Sequence, residues 1–343
     1  MASLIAPAPH RGRRATRAVR IRRFGGPDVL EVVENPAPEP GPGQVLVRVH
    51  AAGVNLAEAL MRQNRYAVTP ELPAVLGFEA AGTVEGLGPG VVGPAVGTRV
   101  AAPLFAQGSL LGGYADHVLI DASLTVPLPD ALPFAEATAL MVQGLTALYL
   151  TRQAPPRGKT VLVSAAAGGV GSLLVQLSKR AGAKAVIAAA STSEKLEFAR
   201  ALGADAGVDY TRADWVERAR AASGGGPDIV YESVGGAVTG AGLAALAPLG
   251  ELVVYGALNI QEFQLGVPEL LGLIFKNQSV TGFALAPLLT PEGLKSGLAE
   301  LFDLAVRSQL KVTIGGRYPL ESAGEAHRAL ESRRTAGKLV LIP

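Results

Sequence analysis

Between Lys159 and Lys179 the chain runs 19 residues without a charge, TVLVSAAAGGVGSLLVQLS, and the order inside that run limits the fold more than any other stretch. Its length alone would match a bilayer. Its internal order does not, because a β-rich TVLVS, a glycine turn AAAGGVGS and a helical LLVQLS follow one another. A buried strand–turn–helix unit accounts for this better than a membrane span, so a soluble chain is expected. Strand patterns then recur at KAVIAA, AGVDY, PDIVYES and ELVVYG, separated by helical stretches at 172–182, 194–203, 213–222 and 237–248. A further stretch with helical spacing, 136–153, precedes the run. Strands separated by helices of this length imply right-handed βαβ crossovers and a parallel sheet covered on both faces.

That alternation predicts a doubly wound, Rossmann-type domain in an α/β protein. Upstream, Ala18 to Asp130 is β-rich, with apolar or alternating runs such as QVLVRVHAAG and YADHVLI between Gly/Pro clusters. At 343 residues the chain is long enough for two domains. A composition of 49% hydrophobic and 17% charged residues excludes a disordered chain or a coiled coil. There is no cysteine, which excludes disulfides, Fe–S clusters, thiolate zinc and a cysteine nucleophile. The net charge of +2 is a property of one end: residues 1–23 hold seven Arg and no acid, leaving 24 basic residues against 29 acidic ones. A nucleic-acid-binding body is therefore not suggested. The acid-free, Arg-rich start, 1–16, is expected to be a disordered leader. An organellar presequence competes with that reading, although Pro7 and Pro9 spoil the amphipathic helix it would need.

The glycine turn carries the chemistry. A pyrophosphate resting on a helix N-terminus needs exposed N–H groups and no Cβ in its way. The stretch Ala167, Gly168, Gly169, Val170 and Gly171 meets that need in an A-x-x-G-x-x-G spacing, with Gly168 allowing close approach and Gly171 packing helix on strand. About 20 residues on, where an NAD site places a carboxylate for the ribose, stand Ala190, Ser191, Thr192 and Ser193, followed by Lys195, with Tyr210 ending the third strand. Hydroxyls and a lysine without a carboxylate suit a 2′-phosphate, so NADPH is expected over NADH. Ser191 and Glu194 also read as a capping box, S-x-x-E, which would turn Glu194 away from a ligand.

Motifs along the whole body are familiar: GVN at 53–55, LGFEAAGTV at 76–84, GGYADHV at 112–118, GLTALYL at 144–150, AAAGGVG at 165–171, LGADAGVDY at 202–210, ESVGG at 232–236 and ESRRTAGKLVLIP at 331–343. In this order they resemble the quinone oxidoreductase (zeta-crystallin-like) branch of the zinc-independent medium-chain dehydrogenases/reductases, from about Ala18 to the C-terminus. The resemblance implies a GroES-like β-rich catalytic domain built from 17–137 and 282–343, with a Rossmann NADPH-binding domain at 138–281 and a cleft between them. It also implies a homodimer through the Rossmann sheet edges, at strand 278–284, and a cytoplasmic enzyme. Zinc-bearing relatives carry G-H-E where this chain has Gly77-Phe78-Glu79, and its four His, at 10, 50, 117 and 327, lack metal-ligand spacing. No metal is expected.

The same resemblance assigns roles within the cleft. Asn55, in GVN, matches an asparagine near the nicotinamide ribose and substrate, while the position equally suits the cap of the helix that follows. Tyr66 matches a substrate-side tyrosine able to donate to a carbonyl, against a plain amphipathic loop residue. Thr146 matches a contact to the nicotinamide-side phosphate or ribose, against a hydroxyl bonded to its own helix. Gly256 and Phe283 border the carboxamide, Val234 lines the cofactor, and Arg333 reaches the 2′-phosphate or simply ends a helix. Glu58 and Gln143 depart from relatives with Asp and Lys at these places. The activity implied is NADPH-dependent reduction of quinones or other α,β-unsaturated carbonyls, by hydride transfer to an already electrophilic acceptor. A 2-enoyl-thioester reductase using Tyr66 as proton donor is the alternative enzyme. A cofactor-gated RNA-binding or structural protein is the alternative of another class.

Overall fold

The computed structural model describes residues 15–256, 262 and 264–343. Six parallel strands form one sheet: β1 (Thr160–Val163), β2 (Ala185–Ala190), β3 (Ala206–Asp209), β4 (Ile229–Glu232), β5 (Glu251–Val254) and β6 (Ser279–Gly282), in the order β3-β2-β1-β4-β5-β6. All four residues of β1 and of β4 are buried, as a strand covered by helices on both faces requires. Connections leave β1 and β4 in opposite directions, which opens a crevice at their carboxyl ends.

The second half is built on the long strand Gln44–Val54. It pairs antiparallel with Ala80–Leu87, with His117–Asp121 and with the last strand of the chain, Lys338–Ile342. Segments that precede and follow the six-stranded sheet in the chain therefore meet in this second one. Gly337 N–H donates to Ala167 O at 2.8 Å and ties the C-terminal segment to the glycine turn.

Three differences from the sequence reading have physical causes. The expected leader, 1–16, is too long by two residues. Ala15 and Thr16 begin the strand Ala15–Ile21, where Thr16 is buried and its hydroxyl lies 2.9 Å from His117 Nδ1; residues 1–14 lie outside the described residues. The helix expected over 136–153 is broken into Phe134–Ala139, a wide π turn Leu140–Gly144, and Leu145–Gln153. Inside the turn Val142 N–H donates outward to Glu79 Oε2 at 2.7 Å. The helix Pro291–Val306 comes after the boundary expected at 281/282, yet Leu294, Leu298, Leu301 and Phe302 share one core with Leu145 and Leu148. Among the described residues no helix is long and apolar enough to cross a membrane.

Candidate active site

After β1 the backbone turns sharply at Ala165 (φ +46°) and enters the helix Gly169–Arg180 through an extended Gly168 with no side-chain cap. The first-turn N–H groups of a helix have no partner inside it, so they point into the crevice. The glycines there serve two ends. A Cβ on Gly171 would overlap the Ala165 carbonyl, so this glycine is demanded by packing within the turn. A Cβ on Gly168 would meet only Ala165 O, at 3.1 Å, and would otherwise fill open space. That space is the floor of a cleft of about 510 Å³ between the two halves. A second groove, of about 900 Å³, runs between Val126–Pro129 and the helix Pro291–Val306 and shares no lining residue with it.

Lys195, Tyr210 and Arg333 gather at one end of the cleft. Lys195 Nζ donates to the Arg333 carbonyl, and burial, then the Arg333 charge, lowers its pKa. Arg333 itself sits at φ +56°, where the chain leaves its helix. Among the residues lining the cleft no Asp or Glu occurs, and Lys195 and Arg333 are its charged side chains. The expected capping box is shifted by one residue: Thr192, not Ser191, precedes the helix Ser193–Ala201 and accepts from Lys195 N–H at 3.3 Å. Glu194 lies exposed in the first turn of that helix. Ser191 does not line the cleft; it lies beside Tyr210, where its hydroxyl eases the upward shift that burial imposes on the phenol. Val234 is also absent from the lining; it is buried, and its N–H donates to Glu232 Oε1 at 2.6 Å.

The other end brings together Asn55, Tyr66, Phe78, Gln143, Thr146, Gly256 and Phe283. Asn55 stands before the helix Leu56–Arg62, and Glu58 reaches back to its N–H at 2.8 Å. The Asn55 side chain turns inward. Its Nδ2 donates to Glu58 Oε1 and to Glu79 Oε1, both at 3.1 Å, and its Oδ1 accepts from Lys338 Nζ at 2.6 Å. Lys338 also pairs with Glu79 Oε1 at 2.5 Å. Asn55 is thus the hub of a buried network whose donors are already committed, while Tyr66 and Thr146 line the same end with hydroxyls that have no hydrogen-bond partner among the described residues.

Two carboxylates share one ammonium in this network. Glu58 is fully buried, and desolvation pushes its pKa up to about 7 against the pull of Lys338. Burial, with the nearby Glu58, raises the Tyr66 phenol above its ordinary value, so it stays protonated at neutral pH. Gly53 is needed because a Cβ there would overlap the Glu79 carboxylate. Glu79 and Lys338 were not singled out as site residues. The available signal was a charge heading the apolar strand KLVLIP. Among the described residues no cluster of three or more His, Asp or Glu is placed to hold a metal.

The residues fit a phosphorylated dinucleotide: a flat glycine floor a Cβ would fill, a helix N-terminus above it, and two cations at one end. Residues 41–130 match the alcohol dehydrogenase GroES-like domain and residues 169–302 the zinc-binding dehydrogenase domain. A quinone oxidoreductase of Pseudomonas aeruginosa is 37% identical over 95% of this chain and 99% of its own. A 2-haloacrylate reductase of a Burkholderia species is 36% identical over 95% of this chain and 98% of its own. The Escherichia coli quinone oxidoreductase solved with NADPH superposes with a TM-score of 0.87, at 34% identity over 95% of this chain and all of that one. With relatives this similar over nearly their whole length, and the two domains and intervening cleft in place, the chain belongs to the medium-chain dehydrogenase/reductase family of oxidoreductases.

Proposed function

We propose that the protein binds NADPH and reduces quinones or other α,β-unsaturated carbonyls, with no metal. The observation that carries this reading is the charge distribution of the cleft: two cations and no carboxylate at one end, and an uncharged, hydroxyl-bearing end opposite. Lys195 and Arg333 hold the 2′-phosphate, and the first-turn N–H groups after Gly168 hold the pyrophosphate. Bound NADPH supplies a hydride. Leu60, Phe78, Phe105 and Leu110 keep water from the reacting end, and Tyr66 Oη donates a hydrogen bond to the acceptor oxygen, where charge develops. A metal is not needed for an acceptor that is already electrophilic. Phe78 stands where zinc-bearing relatives place a histidine, and Glu79 is engaged by Lys338, Asn55 and Val142.

Following NADPH oxidation by absorbance with an ortho-quinone, a simple enone and a 2-haloacrylate tests this reading; no oxidation with any of them would overturn it. The relative named for 2-haloacrylate makes the activated-alkene arm worth measuring beside the quinone. Crotonyl thioesters turned over far faster than either would select the enoyl-thioester reading. The RNA-binding reading rests on the basic leader, most of which lies outside the described residues.

The active form is a homodimer in this proposal. The helix Val267–Lys276 buries none of its side chains, exposes Val267, Leu270, Ile274 and Phe275, and leads into β6, whose outer edge is unpaired among the described residues. Light scattering giving the mass of a single chain would count against it.

A further inference from the structure

The π turn Leu140–Gly144 has a second consequence besides freeing Val142 N–H. It lays the Gln143 side chain across Gly169, so closely that a Cβ on that glycine would overlap the carboxamide. On the other side Gln143 Nε2 lies 3.5 Å from Asn55 Oδ1. The orientation of the carboxamide follows from the network beneath it. The Lys338 ammonium has only donors, so the Asn55 atom it meets must be oxygen. An oxygen at that place requires Gln143 to present its nitrogen, and Gln143 Oε1 is thereby turned the other way. That oxygen is buried and has no hydrogen-bond partner among the described residues.

An acceptor left in this state at a cleft wall is suited to a donor on whatever enters. The order of residues along the cleft says which part of a dinucleotide passes it. Lys195 and Arg333 mark the phosphorylated adenosine, the turn at Gly168–Gly171 marks the pyrophosphate, and Asn55 and Tyr66 mark the reacting ring. Gln143 touches both the turn and Asn55, so it stands between pyrophosphate and ring. The chemical group between them is the nicotinamide ribose, which carries two hydroxyl donors.

We propose that Gln143 Oε1 accepts a hydrogen bond from a hydroxyl of the nicotinamide ribose, which makes Gln143 a specificity-determining residue for the reacting half of the cofactor. The proposal rests on the NADPH reading above, and the two fail differently. Calorimetry is performed on the wild type and on Gln143→Met, which keeps length and removes the acceptor. Three ligands are titrated: NADPH, NADPH deoxygenated on the nicotinamide ribose, and adenosine 2′,5′-bisphosphate, which lacks that ribose.

The wild type is expected to bind the deoxygenated dinucleotide about tenfold more weakly than NADPH, the weight of one hydrogen bond. Gln143→Met is expected to bind the two dinucleotides equally, and to bind the bisphosphate as the wild type does. Gln143→Leu serves the same comparison where the methionine variant does not fold. Discrimination that survives in the variants, or is absent from the wild type, overturns the assignment while leaving the NADPH reading intact. Unchanged NADPH affinity with altered inhibition by a hydroquinone assigns the oxygen to the acceptor's hydroxyl and likewise overturns it. A wild type that binds none of the three ligands overturns both readings.

Discussion

Replacing Lys195 and Arg333 together by Ala is expected to raise the dissociation constant for NADPH by ~10²–10⁴-fold, since each charge-assisted hydrogen bond contributes ~1.5–3 kcal/mol. The same double variant should change NADH affinity by no more than a few-fold. The asymmetry follows from the cleft, whose described lining residues include these two cations and no Asp or Glu. The burial and the Arg333 charge that lower the Lys195 pKa make its proton costly to keep, and a dianionic phosphate between the two cations reverses that. NADPH binding should therefore weaken as pH rises through the lowered Lys195 pKa, and NADH binding should not. Lys195→Gln is a useful companion, because it removes the charge and keeps a donor for the Arg333 carbonyl. Titration calorimetry with both nucleotides is the measurement. Equal losses for NADPH and NADH would show that the pair holds the fold of the cleft and not the 2′-phosphate.

What could be read in the sequence was local. The run from Thr160 to Ser178 encodes its strand, turn and helix in consecutive residues, so periodicity and glycine placement suffice to find it. The same holds for the inner parallel strands, whose continuous apolar runs record burial on both faces. Cleft residues within or beside such units, Lys195 and Tyr210 among them, follow from their offset along the βαβ pattern. The capping residue was missed by one position because Ser191, Thr192 and Ser193 all carry hydroxyls, and only backbone geometry distinguishes them. The fate of Asn55 was beyond local reading. Its partner Lys338 is 283 positions away, and Glu79 reaches the same lysine across 259. A sequence shows that Asn55 heads a helix, but the packing of distant strands decides that its amide is used inward. The π turn was hidden for a related reason: Glu79, just before the strand Ala80–Leu87, is what draws Val142 N–H out of the helix.

Lys338→Met is expected to destabilise the protein by ~3–5 kcal/mol at neutral pH, the scale of breaking a buried ion pair from one side. Lys338 is 1% exposed and Glu79 and Glu58 are 0% exposed, so water cannot take the place of the missing ammonium. Two buried carboxylates would remain with Asn55 Nδ2 and backbone N–H groups as their donors. The loss should depend on pH with a definite sign. In the wild type Glu58 already titrates at about 7 when folded, above its ordinary 4.5, so its contribution falls as pH rises from 4.5 towards 7. Buried His327, lowered to about 3 by desolvation and then the Arg62 charge, works the opposite way, losing stability as pH falls below 6.5. Between 4.5 and 6.5 these two slopes oppose each other in the wild type. His327 contributes equally to both proteins and drops out of their difference. Without Lys338 the charge that holds the Glu58 pKa down is gone, so Glu58 keeps its proton to higher pH and the difference in unfolding free energy should widen above neutral pH, by up to ~1.4 kcal/mol per pH unit. Urea unfolding of both proteins at pH 6 and pH 9 measures this. A difference that is the same at both pH values would mean that Lys338 acts by packing alone, and the charge network would then not be what orients Asn55 and, through it, Gln143.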